Sequence, residues 1–421
     1  MRKLFAAVLA LALAAPAIAA DEPGVFKVPG TESTIKFYGY AQLDTTLDFS
    51  GRVADIENND WATILPAVPS KDSAYAKKAT PQLYMTARTS RFGLVTNTPT
   101  DFGPLTVKLE GDFNGPNGFQ SETYTNSVLF RLRQAYGQLG GFLAGQTWTT
   151  FLDLGAYPDV VDWNGPGSIA LVRNPMLKYT LALAPGATLA IAAENARGSQ
   201  YGGSKFQTLP DFHAALNYTA GWGHINVRGV TQQFNWFEAA GGTNPFSATD
   251  FPTDRAAKKF GVSGAVSGSA KLGGDTLVAQ FSGGQGIGRY LLNAVGATQA
   301  INGGGGGNPG SFIIESNGDL KLITTYAYHV GFTHVWNKAL RSNLVWSQTF
   351  IQDPKANGVA ATNVMQKDMM QAFVNTFWGF TKNAELGLEY VYGQWKSFTN
   401  GTPELKGDMN RINMTLHYNF Y

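Results

Sequence analysis

The residues with the clearest chemical role are two arginines with a strand-like spacing. Arg131 and Arg133 alternate with the apolar side chains of Phe130 and Leu132. Successive side chains of a strand point to opposite faces, so this spacing places both guanidinium groups on one polar face. Arg and Lys side chains that line a pore favour anions. We therefore predict that Arg131 and Arg133 form the basic side of a pore constriction.

Other basic residues are candidates for the same polar surface. Arg88 and Arg91 lie in the second predicted strand, but they are three residues apart. Both can face one side only if that strand contains a bulge. Later segments carry the remaining candidates: Arg173, Lys178 and Arg411, with Arg228 and Arg341 as further members of a basic track. Alternatively, each of them is an ordinary charged residue on a polar face in contact with water. Acidic residues of the same parity would neutralise the basic track.

An acidic segment follows the fifth predicted strand. Residues 150–168 contain Asp153, Asp159 and Asp162 and no basic residue. The segment also carries aliphatic and aromatic side chains, which would be misplaced on a loop surrounded by solvent. We therefore predict that this loop, loop 3, folds inward, so that its carboxylates face the arginines and form the acidic side of the constriction. Alternatively, these acidic residues lie on an external loop and face solvent.

The elements that position these residues are strands with alternating polarity. In the last one, a single parity holds Ile412, Met414, Leu416, Tyr418 and Phe420, while the other parity is polar throughout. Such alternation indicates a strand with one face against apolar surroundings. About sixteen segments of this kind can be counted. Their predicted bounds are 33–49, 82–98, 103–114, 127–139, 141–149, 169–184, 187–197, 210–220, 222–236, 257–270, 273–283, 320–336, 338–352, 367–381, 383–397 and 408–421.

The connections between these segments alternate in length. Short connections such as 140–141 and 185–186 hold turn residues, whereas long loops such as 50–81 and 284–319 fall between them. An even strand number with short turns on one side and long loops on the other is typical of bacterial outer-membrane barrels. We predict an all-β fold, a transmembrane antiparallel β-barrel of about sixteen strands. A barrel of that width encloses an aqueous lumen, so passive diffusion of small solutes is the expected function.

Composition narrows the possible classes further. The chain has 421 residues, no cysteine and only 15% charged residues, which excludes disulfide scaffolds, coiled coils and disordered proteins. Residues 1–20 have the basic start, apolar run and small-residue end of a secretory signal peptide, leaving a short segment, 21–32, and a barrel domain, 33–421. Removing Arg2 and Lys3 balances the basic and acidic residues, so no basic excess indicates a nucleic-acid partner.

Several motifs resemble those of the DcaP-like porins. They are Tyr-Gly-Tyr at 38–40, Ser-Arg-Phe-Gly at 90–93, Glu-Gly-Asp-Phe at 110–113, Arg-Leu-Arg-Gln-Ala-Tyr-Gly at 131–137, Gly-Gln-Thr-Trp at 145–148 and Asp-Trp-Asn-Gly-Pro at 162–166. The resemblance implies a homotrimeric, sixteen-stranded porin of the Gram-negative outer membrane, in contact with lipid and lipopolysaccharide. It also implies a preference for small anions such as dicarboxylates, with Arg131 and Arg133 in the pore. Family members can carry a coiled-coil extension before the barrel, for which residues 21–32 show no heptads.

Other functions remain as alternatives. A sugar-specific porin would need aromatic side chains along the lumen, and Tyr38 and Tyr40 have the inward parity. A receptor or adhesin barrel would use the long loops, above all 284–319. An enzyme is not expected, because the five histidines lie in strand-like segments and no Gly-x-Ser-x-Gly motif is present. No cofactor or metal is predicted, because the Gly303–Gly307 run lacks a phosphate-binding Lys. Calcium binding by Asp55, Glu57 and Asp60 stays an alternative, although their spacing misses the EF-hand pattern.

Overall fold

The computed structural model describes nine stretches of the chain. They are residues 23–50, 81–115, 129–162, 165–196, 208–242, 252–291, 311–353, 365–398 and 406–420. The predicted signal peptide, and the acidic residues Asp55, Glu57 and Asp60 considered for calcium, lie outside them. In the described part of the chain, no helix is long and apolar enough to cross a membrane.

The described residues form twenty strands. Their bounds are β1 Val25–Lys27, β2 Thr34–Ser50, β3 Gln82–Thr86, β4 Arg91–Thr98, β5 Leu105–Asp112, β6 Arg131–Leu139, β7 Phe142–Trp148, β8 Arg173–Ala184, β9 Ala187–Glu194, β10 Asp211–Ala220, β11 Gly223–Glu238, β12 Arg255–Leu272, β13 Asp275–Gln285, β14 Phe312–Ile314, β15 Leu320–Leu322, β16 Thr324–Asn337, β17 Leu340–Ile351, β18 Met365–Thr381, β19 Ala384–Phe398 and β20 Lys406–Asn419. Two short 3₁₀ turns, Leu154–Ala156 and Ile287–Tyr290, lie in the loops.

Sixteen antiparallel strands close into the predicted barrel. The strands β3 and β4 together count as one barrel strand, β1 adds to the end of β2, and β14 and β15 form a separate hairpin. Each barrel strand pairs with its neighbour along the chain, and β2 pairs with β20 to close the circle. In the described part of the chain, closure leaves none of the sixteen barrel strands with an open edge, whose unpaired backbone groups the hydrocarbon of a membrane would not tolerate.

The alternation of side chains is confirmed by burial. On β17, Leu344 and Trp346 are 59% and 42% exposed, whereas Asn343 and Ser347 on the other parity are buried. On β20, Tyr418 and Phe420 are exposed while Arg411 is 1% exposed. The apolar outer surface suits lipid, because transfer of apolar side chains from water is favourable. The polar parity faces the interior of the barrel.

The first residue of one predicted barrel strand is wrong. The segment 320–336 was expected to be a single barrel strand, but Leu320–Leu322 pairs with Phe312–Ile314, and the barrel strand begins at Thr324. Leu320 is fully buried in a cluster with Phe234 and Trp236. Leu320 and Leu322 continue the apolar alternation of β16. The alternation alone therefore does not show that these two side chains pack against protein and not against lipid.

The described parts of two long loops fold into the barrel. Loop 3, residues 149–172, connects β7 and β8 and is described except for 163–164; loop 6, residues 286–323, connects β13 and β16 and is described over 286–291 and 311–323. Three apolar clusters pack around these loops, and we call them the tip cluster (at the tip of loop 3), the base cluster (at the base of loop 3) and the hairpin cluster (around β14 and β15). The tip cluster is Val160, Val345, Phe373, Val391 and Met409; the base cluster is Phe151, Ala170, Val230, Ala265, Ile287, Tyr290, Leu291 and Ala327; the hairpin cluster is Phe234, Trp236, Phe312, Ile313, Ile314, Leu320, Ile323, Ile351 and Met369. The inward folding of loop 3 is thereby confirmed.

Candidate functional site

Four arginines form one side of the candidate site, and we call them the arginine wall. They are Arg91 on β4, Arg131 and Arg133 on β6, and Arg173 on β8. Arg91 and Arg88 both lie on the inner side, because the strand is interrupted between β3 and β4 by a turn in which Ser90 donates to the carbonyl of Ala87. Arg88 folds back on its own strand, with a 3.2 Å hydrogen bond to Thr86 Oγ1. It is 6% exposed.

The arginines of β6 are held by two carboxylates of β5. Arg131 makes a bidentate pair with Asp112, with Nε–Oδ1 2.9 Å and Nη2–Oδ2 2.8 Å. Arg133 donates to Glu110 Oε1 at 2.7 Å and to Asp112 Oδ2 at 2.8 Å. The register of β5 and β6 shifts at Glu110 and Gly111, so Arg133 is the extra residue of a bulge. The bulge lets Arg133 face inward beside its inward-facing neighbour, Gln134.

The positive charge of this wall exceeds its negative charge. Glu110 also accepts a hydrogen bond from Tyr38 Oη at 2.8 Å, and it lies 3.6 Å from Lys108 Nζ and 3.9 Å from Arg91 Nε. Four guanidinium groups and one ammonium group therefore share two carboxylates. The wall as a whole remains cationic.

Within the arginine wall, Arg173 has the fewest polar contacts to the described residues. Its guanidinium carbon lies 3.7 Å from the ring centre of Trp148, which is a close cation–π contact. Among the described residues, its buried Nε and Nη2 atoms have no hydrogen-bond partner. The same is true of Nε of Arg91. These N–H groups are donors available to an anionic ligand.

Two other predicted basic residues lie elsewhere on the inner face. Arg411 is buried in a bidentate pair with Asp48, with Nε–Oδ1 2.6 Å and Nη2–Oδ2 3.0 Å. Lys178 is half-buried on the inner side of β8, since its neighbours Leu177 and Tyr179 are exposed on the outer side. Neither lines the cavity described below.

Loop 3 docks on the barrel side opposite the arginine wall. His329 of β16 donates through Nε2 to the carbonyl of Ala156 at 2.9 Å, and Arg228 of β11 donates to the carbonyl of Phe151 at 2.7 Å. Near the tip, both carboxylate oxygens of Glu389 accept backbone N–H groups, from Val161 and Asp162, at 2.9 Å. Inward-facing side chains of distant strands thus satisfy the backbone of the loop.

The carboxylates of loop 3 point away from the arginine wall, contrary to the expected transverse field. Asp153 accepts from His224 Nε2 at 2.8 Å and from Ser267 Oγ at 2.6 Å. Asp159 pairs with Arg341 at 2.5 Å, and Asp162 is 1% exposed. The physical reason is that a carboxylate beside the wall of β11–β19 finds hydrogen-bond donors there, which repay its removal from water.

The titration of loop 3 follows from these contacts. Burial alone would raise the pKa of the Asp153 carboxyl, but hydrogen bonds from Ser267 and His224 hold that pKa below its ordinary value. Burial raises the pKa of the Tyr157 phenol well above its ordinary value. Asp153 is therefore an anion and Tyr157 a neutral phenol at neutral pH.

A cavity of about 240 Å³ separates the arginine wall from loop 3. Its residues on the barrel wall are Tyr40, Gln42, Arg91, Arg133 and Trp148, and its residues on loop 3 are Leu154, Tyr157 and Leu171. The loop thus presents apolar and aromatic side chains to the cationic wall. A second cavity, of about 470 Å³, lies beside the short turns and is lined by Asp159, Arg341, Glu385, Lys338 and Lys382 among others.

Sequence reasoning missed several residues of the site. Trp148, known from the sequence only as part of the motif at 145–148, and Tyr157 line the cavity. Glu389 and His329 anchor loop 3, a role that the sequence does not predict. The inward parity of Glu389 was visible in the sequence, but its height in the barrel was not. Of the predicted set, Arg91 and Arg133 line the cavity, and Arg131 and Arg173 adjoin those that do.

A closed sixteen-stranded barrel that contains an inward-folded loop defines a channel of the outer-membrane porin class. The chain belongs to the DcaP outer membrane protein family, whose model matches residues 20–216 and 311–420. The resemblance noted in the sequence is thereby confirmed. The protein is accordingly a channel of the Gram-negative outer membrane and not an enzyme.

Individual proteins with similar sequence or structure are a channel, a porin and a further outer membrane protein. The outer membrane channel DcaP of Acinetobacter baumannii superposes with a TM-score of 0.71 at 23% identity, covering 94% of this chain and 99% of that one. The trimer form of OmpT from Vibrio cholerae gives a TM-score of 0.53 at 15% identity, covering 92% and 99%. Porin Omp2b of Brucella suis biovar 1 (strain 1330) is 26% identical over 279 residues, covering 54% of this chain and 68% of the porin.

Proposed function

We propose that this channel passes small hydrophilic solutes by diffusion, prefers anions such as dicarboxylates, and assembles as a homotrimer in the lipid and lipopolysaccharide of the outer membrane. The observation that carries the preference for anions is the asymmetry of the cavity between Arg133 and Leu154. One side is cationic, and the other presents apolar atoms. The acids of loop 3 that would screen the cationic side are bound to the opposite wall.

Charged side chains that line a narrow passage select ions through their electrostatic potential. The potential is stronger where the surroundings hold little water, because the effective dielectric constant is lower there. Leu154, Tyr157 and Leu171 exclude water from one side of the cavity, so the arginine wall acts on a solute with little screening. An anion gains from this field and a cation is repelled by it.

The proposed preference for dicarboxylates is supported by two separate sets of donors. Arg91 and Arg173 each carry buried N–H groups that, among the described residues, have no hydrogen-bond partner. Guanidinium groups match carboxylates in shape and charge. Two such groups near one cavity can hold the two ends of a small dicarboxylate.

Current block by succinate in planar bilayers tests the proposal. Succinate should interrupt the ion current at lower concentration than its uncharged diamide, since only the dianion gains from the arginine wall. Arg173→Ala should weaken the block by succinate and leave the effect of the diamide unchanged. Lys27→Ala is a matched control, because this exposed lysine of β1 pairs with Glu32 and does not line the cavity. Equal block by the two compounds would contradict the dicarboxylate preference.

A neutral sugar is the second candidate solute. Tyr40, Trp148 and Tyr157 all line the cavity, and aromatic rings can support the apolar faces of sugar rings. Liposome swelling distinguishes the two candidates: a sugar-specific channel would admit an oligosaccharide faster than a smaller neutral solute such as arabinose. The anion channel that we propose would instead rank neutral solutes by size alone.

The trimer is supported by the family resemblance and by an apolar aromatic patch on the outer face. Phe92, Phe113 and Phe130 lie with ring centres 5.6 to 6.2 Å apart, and each is 42–53% exposed. Chemical cross-linking of protein in mild detergent should give a three-chain product. A product of one chain at all cross-linker concentrations would contradict the homotrimer.

A further inference from the structure

The first turn of loop 6 is buried although it does not line the cavity. All four residues of the 3₁₀ turn Ile287–Tyr290 are buried, and Leu291 is 1% exposed. The turn is preceded by Gly286 at φ 80°, where an added Cβ would lie 2.5 Å from the ring of Phe234. The backbone therefore enters the turn in a conformation that favours glycine. This part of loop 6 has one well-defined position.

Loop 6 and loop 3 share the base cluster. Its loop 3 members are Phe151 and Ala170, and its loop 6 members are Ile287, Tyr290 and Leu291. The rings of Phe151 and Tyr290 lie 5.5 Å apart between centres. Both side chains are at most 1% exposed, so each loses apolar contacts if the other is removed. The hairpin cluster, farther along the same loop, contains no residue of loop 3.

Polar contacts of the same turn lead to the beginning of loop 3. Arg289 Nη2 donates to Asn174 Oδ1 at 2.6 Å, and Asn174 Nδ2 donates to Glu194 Oε2 at 2.9 Å. The other oxygen of Glu194 accepts the backbone N–H of Thr150 at 2.6 Å. A continuous chain of hydrogen bonds thus joins loop 6 to the second residue of loop 3.

Tyr290 fixes the other side of the turn. Its Oη donates to Asp211 Oδ2 at 2.7 Å, and Arg289 Nη1 lies 3.2 Å from the same oxygen. Both contacts connect the turn to Asp211, the first residue of β10. Charge-assisted hydrogen bonds of this kind are stronger than those between neutral groups. The turn is therefore anchored to the barrel wall independently of loop 3.

We propose that the turn Ile287–Leu291 is a clamp that holds the base of loop 3 and thereby fixes the width of the constriction, with Arg289 and Tyr290 as positioning residues. The proposal rests on loop 3 forming one side of the channel's narrow cavity. Loop 3 continues from Phe151 to Leu154 within three residues, so a displaced Phe151 moves the apolar side of that cavity. Loop 6 would then control conductance without contacting the solute.

Single-channel recording tests the clamp through current noise and the number of conductance levels. Tyr290→Ala should replace the steady open level of each pore with fluctuating levels and increase open-channel noise. Tyr290→Phe keeps the ring and removes the hydrogen bond to Asp211, so it should give a smaller increase. Phe151→Ala should reproduce the Tyr290→Ala result, and the double variant should add little, because both changes break one contact.

Phe312→Ala is the matched control, since Phe312 is a fully buried aromatic residue of the same loop in the hairpin cluster. It should leave noise and conductance as in the parent channel. Parent-like recordings from folded Tyr290→Ala and Tyr290→Phe would overturn the clamp. Equal noise from Phe312→Ala would also overturn it, because loop 6 would then stabilise the barrel in general.

If Tyr290→Ala does not fold, the Phe151→Ala and Tyr290→Phe recordings decide the outcome by the same criteria. These measurements need only an open channel, so they are independent of ion preference. A channel that fails to prefer anions yet shows the noise changes would refute the proposed selectivity alone. A selective channel without the noise changes would refute the clamp alone.

Discussion

At the scale of single residues, the site depends on which charges are paired and which remain available. Asp112 is fully buried between Arg131 and Arg133, and Glu110 is bound by Arg133 and Tyr38. These carboxylates hold the guanidinium groups in place, and they cancel only part of the charge. We propose that the remaining positive charge acts on a passing ion.

Arg133→Ala should lower the anion preference of the channel. A unit charge roughly 8 Å from the ion path contributes about 0.5 kcal/mol in surroundings as polar as water, or about a twofold change in the permeability ratio. The less polar surroundings of this cavity increase that effect. The reversal potential in a KCl gradient measures the ratio. An unchanged reversal potential would show that the charge of Arg133 does not act on the ion path.

The contacts that Asp153 makes with Ser267 and His224 do not depend on pH in the neutral range. Its folded pKa lies below the ordinary value of 3.8, so its contribution to stability is complete above that value and is lost as pH falls through the folded pKa. Asp153→Asn should loosen the base of loop 3, so its single-channel currents should fluctuate at pH 7, where those of the parent channel are steady. Steady currents from Asp153→Asn at pH 7 would contradict this assignment.

At the scale of elements, the inward-facing residues of β11–β19 act as a docking surface for loop 3. Glu389 is 1% exposed and accepts two backbone N–H groups of the loop together with the side-chain amides of Asn375 and Asn413. The tip cluster packs around Val160 beside these contacts. Loop 3 is thus held at its tip by β19 and at its base by β11 and loop 6.

Glu389→Gln should loosen the tip of loop 3. The amide keeps one acceptor oxygen and places an NH₂ group against a backbone N–H, which costs about 1–3 kcal/mol for an unsatisfied buried donor. We expect increased open-channel noise with little change in the unfolding temperature of the barrel. Glu32→Gln is the control, because the Glu32 side chain is 80% exposed. Recordings of Glu389→Gln that match this control would show that the anchor is dispensable.

The strands were largely predictable from the sequence, and the docking of the loops was not. Lipid on one side and a polar lumen on the other impose an alternation that repeats in every barrel strand, as at Leu344 and Trp346 on β17. Leu320 has the same alternation but packs on protein, so its strand was misassigned. Asp153 and Asp159 lie in a loop without periodicity, and their direction depends on His224 and Arg341, which are distant in the sequence.

At the scale of the whole molecule, the barrel depends on the seam between its first and last strands. Arg411 of β20 pairs with Asp48 of β2, and both are at most 1% exposed. Thr46 donates to Asn413 at 3.0 Å across the same seam. The seam closes the hydrogen-bonded circle that a membrane barrel requires.

Arg411→Ala should destabilise the closed barrel. Removing one member of a buried pair leaves Asp48 without its partner and typically costs about 3–5 kcal/mol. Asp48→Asn with Arg411→Gln should restore part of the loss, since no net charge then remains buried. Samples are heated to a series of temperatures and then separated by gel electrophoresis. The temperature at which the band of the folded barrel disappears measures the effect. A temperature equal to that of the parent protein would show that the seam does not rely on this pair.

The central claim concerns the whole channel: a cationic wall faces an apolar loop surface across its narrow cavity, so the open pore favours anions. The reversal potential of the unmodified protein in a planar bilayer, measured across a tenfold KCl gradient, tests this claim most directly. We expect the sign of a chloride-preferring channel. A reversal potential of zero, or one with the sign of potassium preference, would contradict it.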